Sequence, residues 1–429
     1  MSADIVIGAP TRRSLWRHPT FPLFWFGETV SMFGNATSAV LLPLLAVVEL
    51  EATAGWVGVL TAVTWLPWLV VGLPAGAWVD RWAPIRVMVI ANSVSAIALS
   101  VIPIAWWIDR LSLGLMVVVG LAAGTSTVFF RAAYQTMIPH LVDSPDLLVS
   151  ANSRLQGSDS AAQIGGAGIA GVIAASVGAA TGLLLDAGSF VVSTLCLVRV
   201  ARRTPAVARH ERRPGRSLRT EIAEGVHFVA HDRFLRYFTA MGGLSNLGLT
   251  GYGALLVLFL VDDVGISPGA VGGVLMVTST GALAGALLAR PLADRLGTGR
   301  ATVAVQLTAG STAMLIPLAG PGWRLALFVL GQFMVSLGVV AGNVIKGAFR
   351  QRYVPRPLIA RVVTSSQLIN FGTMPIAGLA AGLLGERLGV RPTVAIMAGI
   401  HTAACVAVLA SPIRGRRDLP SEPPAVTVR

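Results

Sequence analysis

Twelve apolar runs, each about as long as a helix needs to cross a bilayer, fall into two sets of six. In each set an Asp-Arg pair directly follows the second run: Asp80-Arg81 in the first, and Asp294-Arg295, 214 positions later, in the second. Apolar surface on this scale needs lipid around it, and a repeated set of membrane helices is the sequence mark of a secondary transporter. The fold class expected is an all-α polytopic membrane protein, with 12 transmembrane helices in two six-helix pseudo-symmetric bundles.

The runs are 21–47, 55–79, 87–108, 111–138, 151–177 and 180–199, then 235–260, 269–293, 301–320, 323–347, 361–385 and 392–411. Residues 1–20 form a tail, 21–200 the first bundle, 201–232 a basic linker, 233–411 the second bundle, and 412–429 a Pro-rich, charged tail expected to be disordered. No apolar core with a cleavage site precedes the first run, so that run is expected to do the targeting. Within the linker, 217–229 has the pattern of a short amphipathic helix lying on the membrane surface. With 54% hydrophobic and 12% charged residues the chain lies far from soluble composition. Cys196 and Cys405 both fall inside runs, which implies no disulfide framework.

Arginine placement gives an orientation. Only Arg110, Arg324, Arg387 and Arg391 fall on odd-numbered loops, while the other 29 of the 33 basic residues lie at the tails, on even-numbered loops or beside them. Positive charge stays inside, so both termini are expected in the cytoplasm of a bacterial cell, with the protein multi-pass in its inner membrane. The net charge of +13 is then explained by the anionic inner leaflet, and nucleic acid is not an expected partner.

Further marks of duplication keep the same order. Phe130-Arg131, Tyr134 and Pro139 correspond to Phe349-Arg350, Tyr353 and Pro355, and Ala187-Gly188 corresponds to Ala398-Gly399. The stretch Gly76-Ala77-Trp78-Val79-Asp80-Arg81, followed by Arg86, resembles the loop 2–3 motif of the major facilitator superfamily. Phe24-Trp25 with Gly27, Leu73-Pro74-Ala75-Gly76, and Leu184-Leu185-Asp186-Ala187 with Ser189-Phe190 resemble its enterobactin-exporter and macrolide-efflux branch. The resemblance spans about 20–410. It implies two rocking lobes around a central cavity, export usually driven by protons, and a cytoplasmic latch of Asp80, Arg81 and Arg86. Asp294 and Arg295 form the second copy of that latch, where Arg290 stands in the place of Gly76. Residues 166–171 correspond to the antiporter motif of helix five but carry alanine at its proline position, which removes the fixed kink.

Ionisable side chains inside a bilayer are costly, so each is a functional candidate. Glu28, Ser31, Asn35 and Ser38 recur at helical spacing and make one polar stripe. Such a stripe lines a cavity or binds another helix. A carboxyl stripped of water holds its proton toward neutral pH, the property a proton carrier needs, and Glu28 is the first candidate for proton coupling. Asn152, Gln156, Asp159 and Gln163 form a second stripe. Asp159, about 12 Å along its helix at 1.5 Å per residue, is the second candidate. Pairing with Arg131 or Arg154 would suit it better to gating.

Asp186 has Met397 at its matching place in the second half and reads as structural. Gln332, Gln367 and Asn370 are expected to line the cavity, with Trp25, Trp65 and Trp68 as candidate aromatic walls and Trp106 and Trp107 at the lipid interface. Asn343, Lys346 and Arg350 lie near enough to the inner end to snorkel into solvent.

No phosphate-binding Gly-x-x-x-x-Gly-Lys-Ser/Thr loop is present, and His and Cys show no metal-ligand spacing. The chain is therefore expected to be no enzyme, to need no cofactor or metal, and to have no catalytic residues. The expected function is export of a small organic compound (a drug, antibiotic or siderophore) by alternating access and proton antiport, by a monomer. The placement of the carboxylates leans toward cationic or neutral solutes. Two alternatives stay open: a nutrient or lysolipid importer on the same fold, and a membrane-embedded partner or regulatory protein that transports nothing.

Overall fold

The computed structural model describes residues 15, 18–79, 82–142, 145–203 and 218–422. The first lobe consists of α1 (Phe21–Val48), α2 (Ala54–Val70), α3 (Gly72–Val79), α4 (Pro84–Trp107), α5 (Leu113–Leu141), α6 (Pro145–Ser176) and α7 (Ala179–Arg203). After α8 (Leu218–His231) come α9 (Arg233–Ala254), α10 (Leu256–Leu258, continued by a π turn over Phe259–Asp263), α11 (Pro268–Leu296), α12 (Thr298–Ala313), α13 (Leu325–Tyr353), α14 (Ile359–Leu388) and α15 (Val390–Val406).

Among the described residues nine of these helices are long and apolar enough to cross a membrane, and α9 with α10, bent by 46°, makes a tenth. The 17-residue α2, prolonged by α3, and the 32-residue α6 complete the twelve rods. The break after Val70 has a local cause. Pro74 has no N–H to offer the Val70 carbonyl four residues back, and its ring crowds that carbonyl. Polar residues recur along α6, which lowers its hydropathy. Large apolar side chains such as Ile97, Val172 and Leu287 are exposed on the outside of the bundle, as a lipid-facing surface requires.

Buried apolar residues fall into clusters that reveal the state of the molecule. One cluster covers Leu15 and the ends of α1, α3, α4, α5, α6 and α7 on the face where the chain begins, called here the basic end. Another, around Phe234, Phe349, Tyr353 and Ile413, holds the same end of the second lobe. At the opposite end a single cluster runs through both lobes, from Leu41, Leu44 and Ile173 to Tyr252, Phe259 and Phe328. Among the described residues the lobes are therefore joined far from the basic end and parted toward it.

Two helix crossings make the join, and glycine makes both possible. Where α2 crosses α14, a Cβ on Gly58 would lie 2.5 Å from the Gly378 carbonyl and 2.6 Å from Gly382 Cα. Where α6 crosses α11, a Cβ on Gly171 would lie 2.7 Å from the Gly269 oxygen. Only residues without side chains let backbones come so near.

The linker carries a helix close to the expected span, and the tail differs from expectation. The helix in the linker packs along α14: Glu224 pairs with Arg361, and Gly225 lies against the Arg361 carbonyl. Asp232 then caps α9, accepting from the Phe234 and Leu235 amides at 3.0 and 2.9 Å, while its second oxygen accepts from the Tyr353 hydroxyl. Residues 204–217 and 423–429 lie outside the described residues. The segment after Arg414, expected as disordered tail, is instead docked through 419. The Arg417 carbonyl accepts from the Gly299 and Arg300 amides, and Asp418 accepts from the Thr298 amide at 2.9 Å. The free amides at the start of α12 supply the partners that hold it.

Candidate functional site

Between the lobes lies a cavity of about 930 Å³. Its walls include Asn35 and Ser38 of α1, Trp65 and Trp68 of α2, Arg131 and Gln135 of α5, Asp186 of α7, and Gln367 and Phe371 of α14. Phe371 stands against both tryptophans, with ring centroids 6.0 Å from Trp65 and 5.1 Å from Trp68. The aromatic wall thus draws on both lobes.

A chamber of about 270 Å³ opens from it within the first lobe and shares Asn35 and Arg131 with the main cavity. Glu28, Ser31, Tyr134, Asp159 and Gln163 line it, so both candidate carboxylates meet around one guanidinium. Close packing of α1 against its neighbours positions Glu28. Beside it, Gly27 abuts Cys196 of α7, while Thr29 donates to Ser158 of α6 at 2.9 Å. Glu28 is 4% exposed, and its Oε1 has no hydrogen-bond partner among the described residues. Trp25 packs into the apolar cluster at the basic end, away from the three cavities described.

Asp186 is 1% exposed and accepts from Ser189 at 3.1 Å, in a pocket that Gly34 of α1 closes. It also reaches the wall of the main cavity. The remaining polar candidates divide. Asn370 lines a third chamber, described below, and Gln367 is shared between that chamber and the main cavity. Gln332 lines none of the three, because its side-chain oxygen accepts from the Tyr252 hydroxyl at 3.2 Å and ties α13 to α9. Gln156 is exposed and also outside them.

Asp80 and Arg81 of the latch lie outside the described residues, and Arg86 is exposed on the first turn of α4. In the second copy Asp294 pairs with Arg290 at 3.6 Å along α11, with the side chains 70% and 90% exposed, and Arg295 is exposed too. The partner of Asp294 is the very residue that replaces the motif glycine.

The third chamber, about 320 Å³, lies within the second lobe between α9, α12, α13, α14 and α15. Gln306, Asn343, Lys346, Arg350 and His401 line it, together with Gln367 and Phe371 from the main cavity wall. Asn343 is exposed and Lys346 and Arg350 are half-buried, so this helix end keeps solvent contact while the same side chains line the chamber. The helix α13 runs to Tyr353, beyond the expected 347, because Phe349 and Tyr353 pack with Phe234 and keep its last turns in the lobe. Lys346, half-buried, lines the chamber.

The fold is shared with proteins of known structure. A bacterial homologue of the iron transporter ferroportin, in an inward-facing state, superimposes with a TM-score of 0.76 at 17% identity, over 93% of this chain and 99% of that one. The nucleoside transporter NupG does so with 0.72 at 13% identity, over 91% and 98%. In sequence the chain is 27% identical over 423 residues to the multidrug efflux pump Tap of Mycobacterium tuberculosis (strain ATCC 25618 / H37Rv), covering 95% of this chain and 96% of that protein. Its identity to the Tap pump of Mycolicibacterium fortuitum is 28% over 412 residues, covering 94% and 98%. The family described as transmembrane secretion effector matches residues 11–424. This chain is a multi-pass membrane transporter and no enzyme, and it belongs to that family of the major facilitator superfamily.

Proposed function

We propose that the protein exports a small, partly apolar organic compound across the bacterial inner membrane by alternating access, in exchange for protons. The observation that carries this reading is the burial of Glu28 in a chamber continuous with the main cavity, one carboxyl oxygen unpartnered and Arg131 on the same wall. A carboxyl so placed can hold a proton in one state and release it in another when access changes.

With the basic end on the cytoplasmic side, as positive charge directs, the parted face opens the cavity inward. Solute enters between Trp65, Trp68 and Phe371 while Glu28 gives up its proton toward the cytoplasm. Rocking of the lobes about the crossings of α2 with α14 and α6 with α11 then closes that face. On the outer side solute leaves and Glu28 takes a proton, which it carries back. Asp159 serves as the exchanging ion-pair partner of Arg131 when Glu28 is neutral.

The test uses everted vesicles with an imposed proton gradient. Compound-dependent dissipation of the gradient by wild type, lost in Glu28→Gln while compound binding persists, supports proton-coupled export through this carboxyl. Dissipation that survives Glu28→Gln removes Glu28 as carrier. Accumulation of compound in right-side-out vesicles in place of efflux would turn the reading to import.

A further inference from the structure

Lys346 is the one lysine in the sequence, and it lines the chamber of the second lobe with Arg350 one helical turn further along α13. Its stem turns inward. Lys346 Cε lies 3.8 Å from where a Cβ on Gly342 would stand, so the side chain runs back along α13, away from the basic end. Neither cation forms an ion pair among the described residues, and none of the chamber's described lining residues is Asp or Glu.

A third group points the same way. Gln306, 5% exposed, accepts from the Tyr237 hydroxyl at 3.2 Å through its amide oxygen, which leaves its Nε2 buried without a partner. Two cations and an unused N–H around one space, with no carboxylate among the described lining residues, form a set suited to an incoming acceptor, although Asn370 Oδ1 on the same wall is a buried acceptor that also has no partner.

We infer that this chamber binds an oxyanion, and that the oxyanion is an acid group carried by the transported compound. Gln367 and Phe371 line both this chamber and the main cavity, so one solute can place its acid group at Lys346 and its apolar, cationic body against Trp65 and Trp68. Glu28 and Asp159 lie in the first-lobe chamber, which shares Asn35 and Arg131 with the main cavity. The solute class is then amphoteric, an organic cation that also bears a carboxylate, in place of the cationic or neutral class expected from the carboxylates alone. This inference rests on the transport reading for the source of the anion.

The test compares rhodamine B, which has a free carboxylate, with its ethyl ester, by fluorescence anisotropy on the purified full chain. Rhodamine B should bind about tenfold tighter than the ester, the effect expected of one buried charge-assisted contact. Lys346→Met should abolish that preference with ester affinity unchanged, and Lys346→Arg should restore most of it. Equal binding of acid and ester to wild type, or a preference that survives Lys346→Met, overturns the assignment.

A second readout uses the solitary lysine: reductive methylation of Lys346, followed by peptide mass spectrometry, with benzoate or inorganic phosphate as protectant. Benzoate should slow the labelling saturably. Benzoate protection without binding of either dye keeps the oxyanion site and counts against the transport reading for such compounds. Protection by phosphate alone assigns the site to a free inorganic ion and overturns the solute assignment. No protection by either anion, with no acid preference, removes the site.

Discussion

Thr53 at the start of α2 donates to Glu386 near the end of α14 at 3.0 Å, and so joins the two lobes at the end opposite the termini. The bond is exposed, so its net worth is about 1 kcal/mol or less. It sits, however, on the seam that must open when the transporter changes state. Thr53→Val should therefore leave the fold intact and raise the population open at the far end by up to about fivefold. Distance distributions between spin labels at Glu51 and Leu388, in a background with Cys196 and Cys405 replaced, would read the shift. An unchanged distribution would show that the bond takes no part in holding this state.

The crossing beside it should be less forgiving. A Cβ on Gly58 meets backbone atoms of Gly378 and Gly382, which cannot swing aside as a flexible side chain can. Gly58→Leu is expected to abolish the observed packing of α2 on α14. The same label pair should then report mainly the far-open state, and transport should fall at least tenfold, since the cycle needs both states. Gly273, with open space where its Cβ would stand, is the control: Gly273→Ala should change neither.

These contacts also indicate how far the sequence could be read. The apolar runs and the Glu28 stripe were legible because lipid and helix geometry act on every residue alike. Gln332 was not, because a polar side chain in a membrane run can be satisfied by a cavity or by another helix, and only the position of Tyr252 decides. The place of Lys346 on the chamber wall was not legible for a related reason. Its depth depends on how far α13 continues, and the aromatic packing of Phe349 and Tyr353 on Phe234 comes from a helix more than a hundred residues away in sequence. The docked segment at 412–419 has tail-like composition, and its partners are amides at the start of α12, which composition does not register.

If Gln332 is a strut between α13 and α9, its loss should cost stability and spare transport. Tyr252→Phe removes the hydroxyl donor and nothing else, so a loss of about 1 kcal/mol is expected, read as a small fall in the thermal midpoint. Compound affinity should stay within twofold of wild type. A large loss of affinity with normal stability would return Gln332 to the cavity wall.

The docked tail makes a similar claim at the basic end. Asp418 caps α12 through the Thr298 amide, and removing such a cap costs about 1 kcal/mol. Asp418→Ala should release the segment and speed tryptic cleavage after Arg416 and Arg417 several-fold, with the bundle otherwise resistant. Cleavage at the wild-type rate would mean that the docking is too weak to matter.

The aromatic wall gives the most direct test of where solute binds. Phe371 comes from α14, while Trp65 and Trp68 come from α2, so the ring contacts bridge the lobes through the cavity they line. An aromatic solute that intercalates there gains about 0.5–1.5 kcal/mol per ring pair beyond simple burial. Phe371→Ala should thus weaken binding of a planar aromatic compound by about three- to tenfold, and Phe371→Leu, which keeps bulk but loses the ring, by somewhat less. Quenching of the tryptophan emission by bound compound should diminish in parallel, because Trp65 and Trp68 report on the same contact. Unchanged affinity in Phe371→Ala would place the solute elsewhere in the 930 Å³ cavity, and would leave the trio as packing between α2 and α14.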